Sequence, residues 1–290
     1  MENNQNKKLM DYIGKTIKNS NIKVNNLYKA ERLLANIHHN HLFDYGKGLI
    51  NPKTGKFKTD VTIDWLFSIY SFDSELRNAL FSIIELIEVN LRSRLSYYLT
   101  MQYGPKGMFK KSNFDDIKRT NSTTNEVIST YETIIEHYKR LKPGNSKNGQ
   151  PVEREFYRII EQLSFGDIIS LYNILKIDDK KYISSIYKMK FSKFNSNLQV
   201  IKEVRNICAH FEKIYDKSLR FIPSLKEEYK DFFNNNKVFA ALLSMKCVID
   251  NNRIWSKFMI RIVKVIKTYK KYIDLEAIGF PKNWEEILTK

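Results

Sequence analysis

An arginine, an asparagine and a histidine stand close together in the stretch from Glu203 to Phe211. Arg205 carries a permanent charge on a planar fork of donors that fits phosphate oxygens. His210, five residues later, is of the residue type that gains or loses a proton near neutral pH. Asn206 adds an amide beside the arginine. Together these groups could hold a phosphodiester and move a proton on it.

The spacing of these residues restricts how they can meet. Five residues of an ideal helix turn through about 140°, so Arg205 and His210 would not lie one above the other. A site that uses both side chains therefore requires a helix end, a bend or a second copy of the motif. The alternative is structural: a buried helix with a satisfied histidine near its end, and with Arg205 paired to a carboxylate such as Glu203.

Apolar residues before and within the motif bear on these alternatives. They recur three or four residues apart, which predicts a helix over 198–210 with one buried face, formed by Leu198, Ile201, Val204, Ile207 and Cys208. The motif then belongs to the buried side of this helix. Polar groups on a buried face are costly unless they have partners or a task, so the pattern favours a functional site.

The composition predicts an all-α fold. The chain has 290 residues, of which 42% are hydrophobic, so it can bury a sizeable core. Only 10 glycines and 6 prolines are present, too few for the regular turns of an all-β protein. We expect a weakly ordered N-terminal tail over 1–24, one helical domain over 25–290, and an exposed loop at 142–151.

The charge balance indicates a polyanionic partner. There are 49 Lys and Arg residues against 32 Asp and Glu residues, a formal net charge of +17, which attracts nucleic acid. A lysine-rich composition can also reflect an AT-rich coding sequence, so the charge supports contact with nucleic acid without choosing DNA or RNA. The two cysteines have no paired spacing, and no apolar run reaches the length of a membrane span. We therefore expect a cytoplasmic protein without membrane contact.

One long helix is expected to form the spine of the core. Its apolar residues, from Leu76 to Leu95, follow the helical period, and Phe72-Asp73-Ser74 is expected to cap its start after a separate helix over 60–70. Further helices are predicted over 27–37, 125–141, 153–163, 168–175, 182–189, 237–249 and 254–272.

Polar residues interrupt the long helix at regular intervals. Glu85, Glu88 and Arg92 are three and four residues apart and share a face, and Arg77 lies close to three turns before Glu88. Arg77, Glu88 and Arg92 are candidate supporting residues of the site. The alternative is a solvated face with weak ion pairs.

A second charged pattern lies near the C-terminus. Basic residues spaced mostly three or four apart give the helix over 254–272 one basic face, a candidate RNA-binding surface made of Arg253, Lys257, Arg261, Lys264 and Lys267. A solvated lysine face is the alternative. The histidine cluster His38, His39 and His41 has no carboxylate or cysteine cluster nearby in sequence, so we predict an aromatic-rich helix end there, with no metal and no cofactor.

Five short motifs, taken in order, resemble one family of proteins. They are YSFDSELR at 70–77, IELIEVNLRS at 84–93, LSFGD at 163–167, RNICAH at 205–210 and IGFPKNW at 278–284. This order is similar to that of the Abi-like family, the bacterial abortive-infection proteins of the AbiD and AbiF type. The resemblance covers roughly residues 25 to 288. The family is assigned to the HEPN superfamily, to which domains of the RNA-guided type VI CRISPR effectors are related.

The resemblance implies an all-helical, HEPN-like bundle with additional N- and C-terminal helices. It also implies a metal-independent ribonuclease used as an antiphage or toxin effector, which a structured small RNA restrains in some relatives. Arg205, Asn206 and His210 match the superfamily motif and are the candidate catalytic residues. HEPN sites are typically built from two such motifs across a dimer, so we expect a homodimer. Phe211 and Glu212 depart from the basic or polar residue that commonly follows the motif histidine.

Three functions are compatible with these residues. The first is an endoribonuclease in which a ribose 2′-hydroxyl attacks the adjacent phosphorus, so that RNA is cut and DNA is not. The second is a binding protein that holds a structured RNA, with Arg205 and His210 only as contacts. The third, a target or partner of a nucleotide transferase, is a role of other HEPN relatives.

Overall fold

The computed structural model describes residues 2–120, 127–141, 155–232, 235–249 and 251–289. The helices in these ranges are α1 (Glu2–Ser20), α2 (Leu27–Asn36), α3 (His39–Phe43), α4 (Ile63–Tyr103), α5 (Thr130–Leu141), α6 (Phe156–Ile160), α7 (Phe165–Asn173), α8 (Ile177–Ile186), α9 (Phe191–Ala209), α10 (Val238–Val248), α11 (Asn252–Tyr269) and α12 (Trp284–Thr289). The prediction of an all-α fold is confirmed. None of the described helices is long and apolar enough to cross a membrane.

The fold is built around α4. This helix has 41 residues, which corresponds to a length of about 60 Å. The side chain of Thr62 caps its first turn by accepting a hydrogen bond from the Trp65 N–H at 3.1 Å. Its last turn ends at Gly104, whose φ of 78° suits glycine. The long helix predicted from the sequence is therefore present.

The predicted break at the start of this helix is wrong. The helices expected over 60–70 and from Asp73 onward are one continuous helix. Phe72 and Asp73 are fully buried inside it, and the Asp73 carboxylate accepts hydrogen bonds from another part of the chain. Because that carboxylate has distant partners, it does not cap a helix, and no Gly or Pro interrupts the backbone here.

Helix α9 lies antiparallel against α4. Tyr187, just before α9, donates a hydrogen bond to Asn90 at 3.0 Å, whereas Glu212, just after α9, accepts one from Arg77 at 3.2 Å. Higher residue numbers on one helix therefore face lower numbers on the other. Helix α10 packs against α9 and is buried on nearly all sides, while α11 packs against α4 with one apolar face.

The N-terminal segment forms a second, smaller core. Residues 2–20, where we expected a weakly ordered tail, form α1, which packs against α2. Ile13 and Ile17 of α1 are buried together with Leu34 of α2 and Leu66 of α4. Helix α4 thus joins this cluster to the main core. The domain boundary at residue 25 stays a prediction.

The segment before α5 differs from the prediction. A helix was expected over 125–141, but Lys118–Thr120 and Val127–Ser129 form strands β1 and β2, which pair antiparallel. Helix α5 begins only at Thr130. The β-branched residues Val127 and Ile128 suit a strand, and a short strand of this kind has too few residues to show a period. The loop expected at 142–151 lies outside the described residues.

Candidate functional site

The motif lies at the C-terminal end of α9. The helix ends at Ala209, and the N–H of His210 still donates to the carbonyl oxygen of Asn206 at 2.9 Å. Phe211 then adopts a left-handed conformation with φ of 57°. The N–H of Glu212 returns to the carbonyl oxygen of Ile207 at 3.0 Å, which is the hydrogen bond of a Schellman turn. Glycine usually occupies the left-handed position of such a turn, whereas this chain places a phenylalanine there.

This helix end resolves the spacing of the motif. His210 follows the last helical residue, so the ideal helical rotation no longer fixes its direction. Arg205 is half-buried, and Asn206 and His210 are exposed. Asn206 and His210 are therefore both open to solvent at the helix end. The helix end required by the sequence argument is present.

The guanidinium of Arg205 faces a carboxylate on α4. Its Nε lies 3.9 Å from Oε2 of Glu88. The other oxygen of Glu88 accepts a hydrogen bond from Nη2 of Arg92 at 2.7 Å, so one carboxylate lies between two guanidinium groups. The Arg205 side chain is 31% exposed, against 15% for Arg92. Arg205 therefore has a carboxylate near one edge, at a distance too long for a hydrogen bond, and remains open to solvent in part.

Arg92 also contacts the segment that begins α7. Its Nη2 donates to the backbone carbonyl oxygen of Leu163 at 3.2 Å. The next residue, Ser164, caps α7 in a capping box with Asp167. Nδ1 of His137 on α5 lies 2.7 Å from the same Asp167 carboxylate. The LSFGD motif thus joins α5 and α7 to the Glu88 group.

Arg77 belongs to a separate, buried cluster on α4. Its Nη1 forms an ion pair with Asp73, one turn earlier, and lies 3.3 Å from the hydroxyl oxygen of Tyr45. The same nitrogen donates to the backbone carbonyl oxygen of Glu212 at 3.2 Å. Arg77 is only 6% exposed, too little for direct contact with a substrate. It holds the chain directly after the motif.

Asp73 holds the next residues of the same segment. Its carboxylate accepts hydrogen bonds from the N–H groups of Ile214 at 3.0 Å and of Tyr215 at 2.6 Å, and from the hydroxyl of Tyr45 at 2.8 Å. Burial raises the pKa of this carboxyl group, while the charge of Arg77 and the two backbone N–H groups act in the opposite direction. The segment that follows His210 is therefore fixed by buried polar groups.

Two groups on α4 hold the two sides of the motif. Glu88 contacts Arg205 before His210, and Arg77 contacts Glu212 after it. The two α4 residues are eleven positions apart, or about 16 Å along the helix. His210 lies between these anchors and is itself exposed. This arrangement presents an imidazole in a defined position and leaves it open to a ligand.

Glu203 does not pair with Arg205. Its carboxylate accepts the backbone N–H groups of Arg220 at 2.9 and 3.0 Å and of Phe221 at 3.2 Å. It holds the chain that returns past α9 after the motif. The carboxylate suggested by the structural alternative is thus used elsewhere, and Glu88 takes its place beside Arg205.

The basic residues near the C-terminus form a separate surface. All five candidate residues are exposed on α11, namely Arg253, Lys257, Arg261, Lys264 and Lys267. Nη1 of Arg261 lies 3.3 Å from the hydroxyl of Ser82 on α4. Among the described residues, no hydrogen bond or ion pair joins these five to the motif on α9. The structure thus brings Arg205, Glu88 and Arg92 together, and places Arg77 and the α11 residues elsewhere.

The three clustered histidines lie around α3, among aromatic side chains. The rings of His38 and His39 are 4.4 Å apart, and His41 packs edge-on against Tyr45 and Tyr70. The aromatic-rich helix end predicted here is confirmed. Within the described residues, no group of three His, Cys, Asp or Glu side chains could hold a metal ion.

Comparison with models of protein families identifies the family to which this chain belongs. A family model described as Abi-like protein matches residues 32–216. The chain belongs to the Abi-like family. No curated protein and no solved structure matches it significantly.

The Abi-like match contains every part of the candidate site. It spans α4 with Arg77, Glu88 and Arg92, the LSFGD motif at the start of α7, and the RNICAH motif at the end of α9. The match ends at Asp216, so helices α10, α11 and α12 and the IGFPKNW motif lie beyond it. The matched region therefore includes the candidate site and its supports, while the basic face of α11 lies outside it.

Sequence reasoning missed two contributors to the Abi-like site. Asp73 was assigned to a helix cap, although its spacing of four residues from Arg77 is that of an ion pair on one helix face. That spacing was the available signal. The carbonyl oxygen of Leu163 carries no signal of its own in the sequence, because every residue has such a group.

Proposed function

We propose that this Abi-like protein is a HEPN endoribonuclease that acts in antiphage defence as an abortive-infection or toxin effector. The observation that carries the proposal is the exposure of His210 and Asn206 at a fixed helix end, with the partly exposed Arg205 in the last turn of the same helix. An exposed imidazole and a partly exposed guanidinium at one helix end suit an anionic substrate. Family membership supports the defence role.

The proposed reaction is an internal displacement in RNA. The ribose 2′-oxygen attacks the adjacent phosphorus and the bond to the 5′-oxygen breaks, which gives a 2′,3′-cyclic phosphate and a 5′-hydroxyl end. His210 takes the proton of the 2′-hydroxyl or gives one to the leaving oxygen, a contribution of about 10² to 10⁴-fold. Arg205 stabilises the charge on the phosphorane oxygens, and Asn206 orients the imidazole or the phosphate. These groups perform the reaction without a metal.

A second copy of the chain would complete the site. One imidazole cannot act as base and acid at once, and a two-fold axis would bring the His210 of another subunit opposite the first. Leu86 and Val89 of α4 are apolar side chains that are 47% and 53% exposed, and they offer a surface on the long helix for contact with another copy. Leu86→Lys is expected to shift a dimer to monomer in light scattering and to reduce cleavage.

The basic face of α11 is proposed to bind the RNA backbone. Its charges are exposed and spaced along one side of the helix, as phosphate contacts require. A structured small RNA that restrains the enzyme is proposed to use this surface. Replacement of Lys257 and Lys264 by Ala should weaken binding to all RNA sequences and lower the salt dependence of affinity.

Cleavage by purified protein tests the proposal. Wild type, His210→Ala and the control His38→Ala, which changes an exposed histidine outside the motif, are incubated with RNA in EDTA and in Mg²⁺. We expect wild type and His38→Ala to cut in both buffers, to leave 2′,3′-cyclic phosphates, and to spare DNA. His210→Ala should bind RNA without cutting it.

The same experiment separates the catalytic function from simple binding. Loss of RNA affinity in His210→Ala, with no cleavage by wild type, would assign the motif to RNA binding alone. RNA recovered with the protein from its host identifies the proposed restraining RNA. If wild type and His210→Ala neither bind nor cut RNA, the ribonuclease proposal is wrong.

A further inference from the structure

A groove of about 690 Å³ opens beside the N-terminal half of α9. Five parts of the chain surround it: α9, the end of α7, α8, the chain that returns after the motif, and Ile117 just before β1. Its polar and aromatic lining includes Asn173, Lys180, Asn195, Gln199, Lys202 and Phe221. A groove of this volume is in the range of small-ligand sites, and none of its lining residues belongs to the candidate catalytic site.

The groove lies on the same face of α9 as Asn206 of the motif. Asn195, Gln199, Lys202 and Asn206 follow one another at intervals of four, three and four residues. At about 100° per residue, these four positions fall within about 60° of one another around the helix. The first three are half-buried and Asn206 is exposed, so one polar strip leads from the groove to the motif.

The length of this strip sets how far a ligand must reach. Eleven residues separate Asn195 from Asn206, which is about 16 Å along the helix. A stacked nucleic-acid strand rises about 3.4 Å per nucleotide. The groove is therefore at most about five stacked nucleotides from the motif, and fewer of an extended strand.

The lining chemistry fits an unpaired nucleotide. The side-chain amides of Asn195 and Gln199 lie 3.5 Å apart, and amides can pair with the donor and acceptor edge of a base. Phe221 is 42% exposed and offers a ring for stacking. Lys180 is half-buried, and burial lowers the pKa of its amine. Contact with a phosphate would stabilise an ammonium group that has lost part of its hydration.

We propose that this groove is a binding subsite for an unpaired nucleotide of the RNA strand that His210 cleaves, a few nucleotides from the cut. The inference rests on the ribonuclease function proposed above, and it adds how the substrate is chosen. Recognition at a distance from the cut would favour single-stranded RNA, since bases in a duplex have no free edge or face to offer.

Affinity for RNA of increasing length tests the subsite. Single-stranded oligonucleotides of two to eight residues, with each base varied in turn, are bound to His210→Ala protein and followed by fluorescence anisotropy. With the groove intact, affinity should rise in a step between two and about six nucleotides. Phe221→Ala should lower affinity for the hexamer roughly tenfold and leave the dinucleotide unchanged, whereas Phe221→Tyr should restore the step.

Two controls keep the result specific. Tyr28→Ala removes another exposed aromatic ring, on α2, and should leave the step intact. Gln199→Ala should change the base preference within the hexamer without removing the step. Thermal unfolding of each variant establishes that it is folded.

The outcomes separate this inference from the proposed reaction. A step that persists in Phe221→Ala, or is absent from the intact groove while wild type cleaves RNA, would overturn the subsite. A Phe221-dependent step in a protein that cuts no RNA would leave the subsite standing and refute the reaction. If Phe221→Ala binds RNA normally but loses a co-purified protein, the groove binds that protein and the inference is wrong.

Discussion

Arg77 on α4 donates a hydrogen bond to the backbone carbonyl oxygen of Glu212, two residues beyond His210, at 3.2 Å. The donor is buried and the segment it holds is at the surface. A buried ion pair with Asp73 fixes the position of Arg77. The conformation of the exposed histidine thus depends on polar groups in the core, at the end of α9 where the helix no longer constrains the backbone.

Arg77→Ala should destabilise the protein strongly. The substitution leaves the Asp73 carboxylate, which has no exposed surface, without its counter-charge. Breaking a buried pair in this way costs about 3–5 kcal/mol. Urea unfolding measures the loss. The control is Lys29→Ala, which breaks an exposed pair with Asp64 and should cost less than about 1 kcal/mol. Equal losses in the two variants would show that the Arg77 cluster is not a structural anchor.

Phe211→Gly should stabilise the protein. Phe211 has a positive φ of 57° and a side chain that is 76% exposed, so its ring contributes little packing to offset the strain. A left-handed conformation costs a residue with a Cβ atom roughly 1–2 kcal/mol more than glycine. The variant should unfold about 2–4 °C higher in calorimetry. A lower melting temperature would contradict this account of the turn.

The same variant tests whether Phe211 has a functional role. A strained, exposed aromatic residue beside His210 is consistent with contact to a base. If so, Phe211→Gly should weaken RNA affinity severalfold although the folded state is more stable. Phe211→Asn is the matched control. It also removes the ring, and Asn tolerates the left-handed region too, so both variants should lose RNA affinity if the ring contacts a base.

The cysteines of the motif helix and of α10 should be inert in the folded protein. Burial raises the pKa of the Cys208 thiol to about 12 and also raises that of Cys247. At pH 8 both groups are therefore protonated, and the thiol reacts far more slowly than the thiolate. Titration with a coloured disulfide reagent should find almost no reactive thiol in the native state and both in 6 M guanidinium. Rapid reaction of the native protein would show that the end of α9 opens to solvent.

The sequence predicted the long apolar faces better than the points where polar groups meet. Leu76 to Leu95 repeat at a helical period over many turns, and the structure buries them as expected. Asp73 was misassigned because an acidic residue beside a serine resembles a cap, while its true partners, Ile214 and Tyr215, are more than a hundred residues away. The position of His210 likewise depends on distant contacts, which no local pattern contains.

Strand β2 shows that short stretches of sequence can also be too uninformative to predict. Val127 pairs with Thr120, and Ile128 pairs with Arg119, across a short hairpin. Three residues are too few to distinguish a strand from the first turn of α5 by periodicity. The groove beside α9 could not be predicted from the sequence either, since its walls come from five separate parts of the chain. Arg205, Asn206 and His210 could be selected because their chemistry is concentrated in six consecutive residues.

Glu88→Gln should separate binding from catalysis. Glu88 lies between Arg92 and Arg205, and its removal leaves two guanidinium groups facing each other without a counter-charge. Arg205 should then move toward solvent and lose the position that Glu88 gives it in the last turn of α9. Because one negative charge is lost from the site, RNA affinity should stay the same or rise, whereas the cleavage rate of bound RNA should fall about tenfold or more. Single-turnover cleavage and anisotropy measure the two quantities.

The control for this effect lies one turn earlier on the same helix. Glu85→Gln removes an equal charge from an exposed residue of α4 and should leave the single-turnover rate unchanged. If Glu85→Gln and Glu88→Gln slow cleavage equally, the effect is one of overall charge and Glu88 does not position Arg205. If Glu88→Gln alone loses RNA affinity, then Arg205 serves mainly to bind the strand, and the geometry of Glu88 matters for recognition more than for the chemical step.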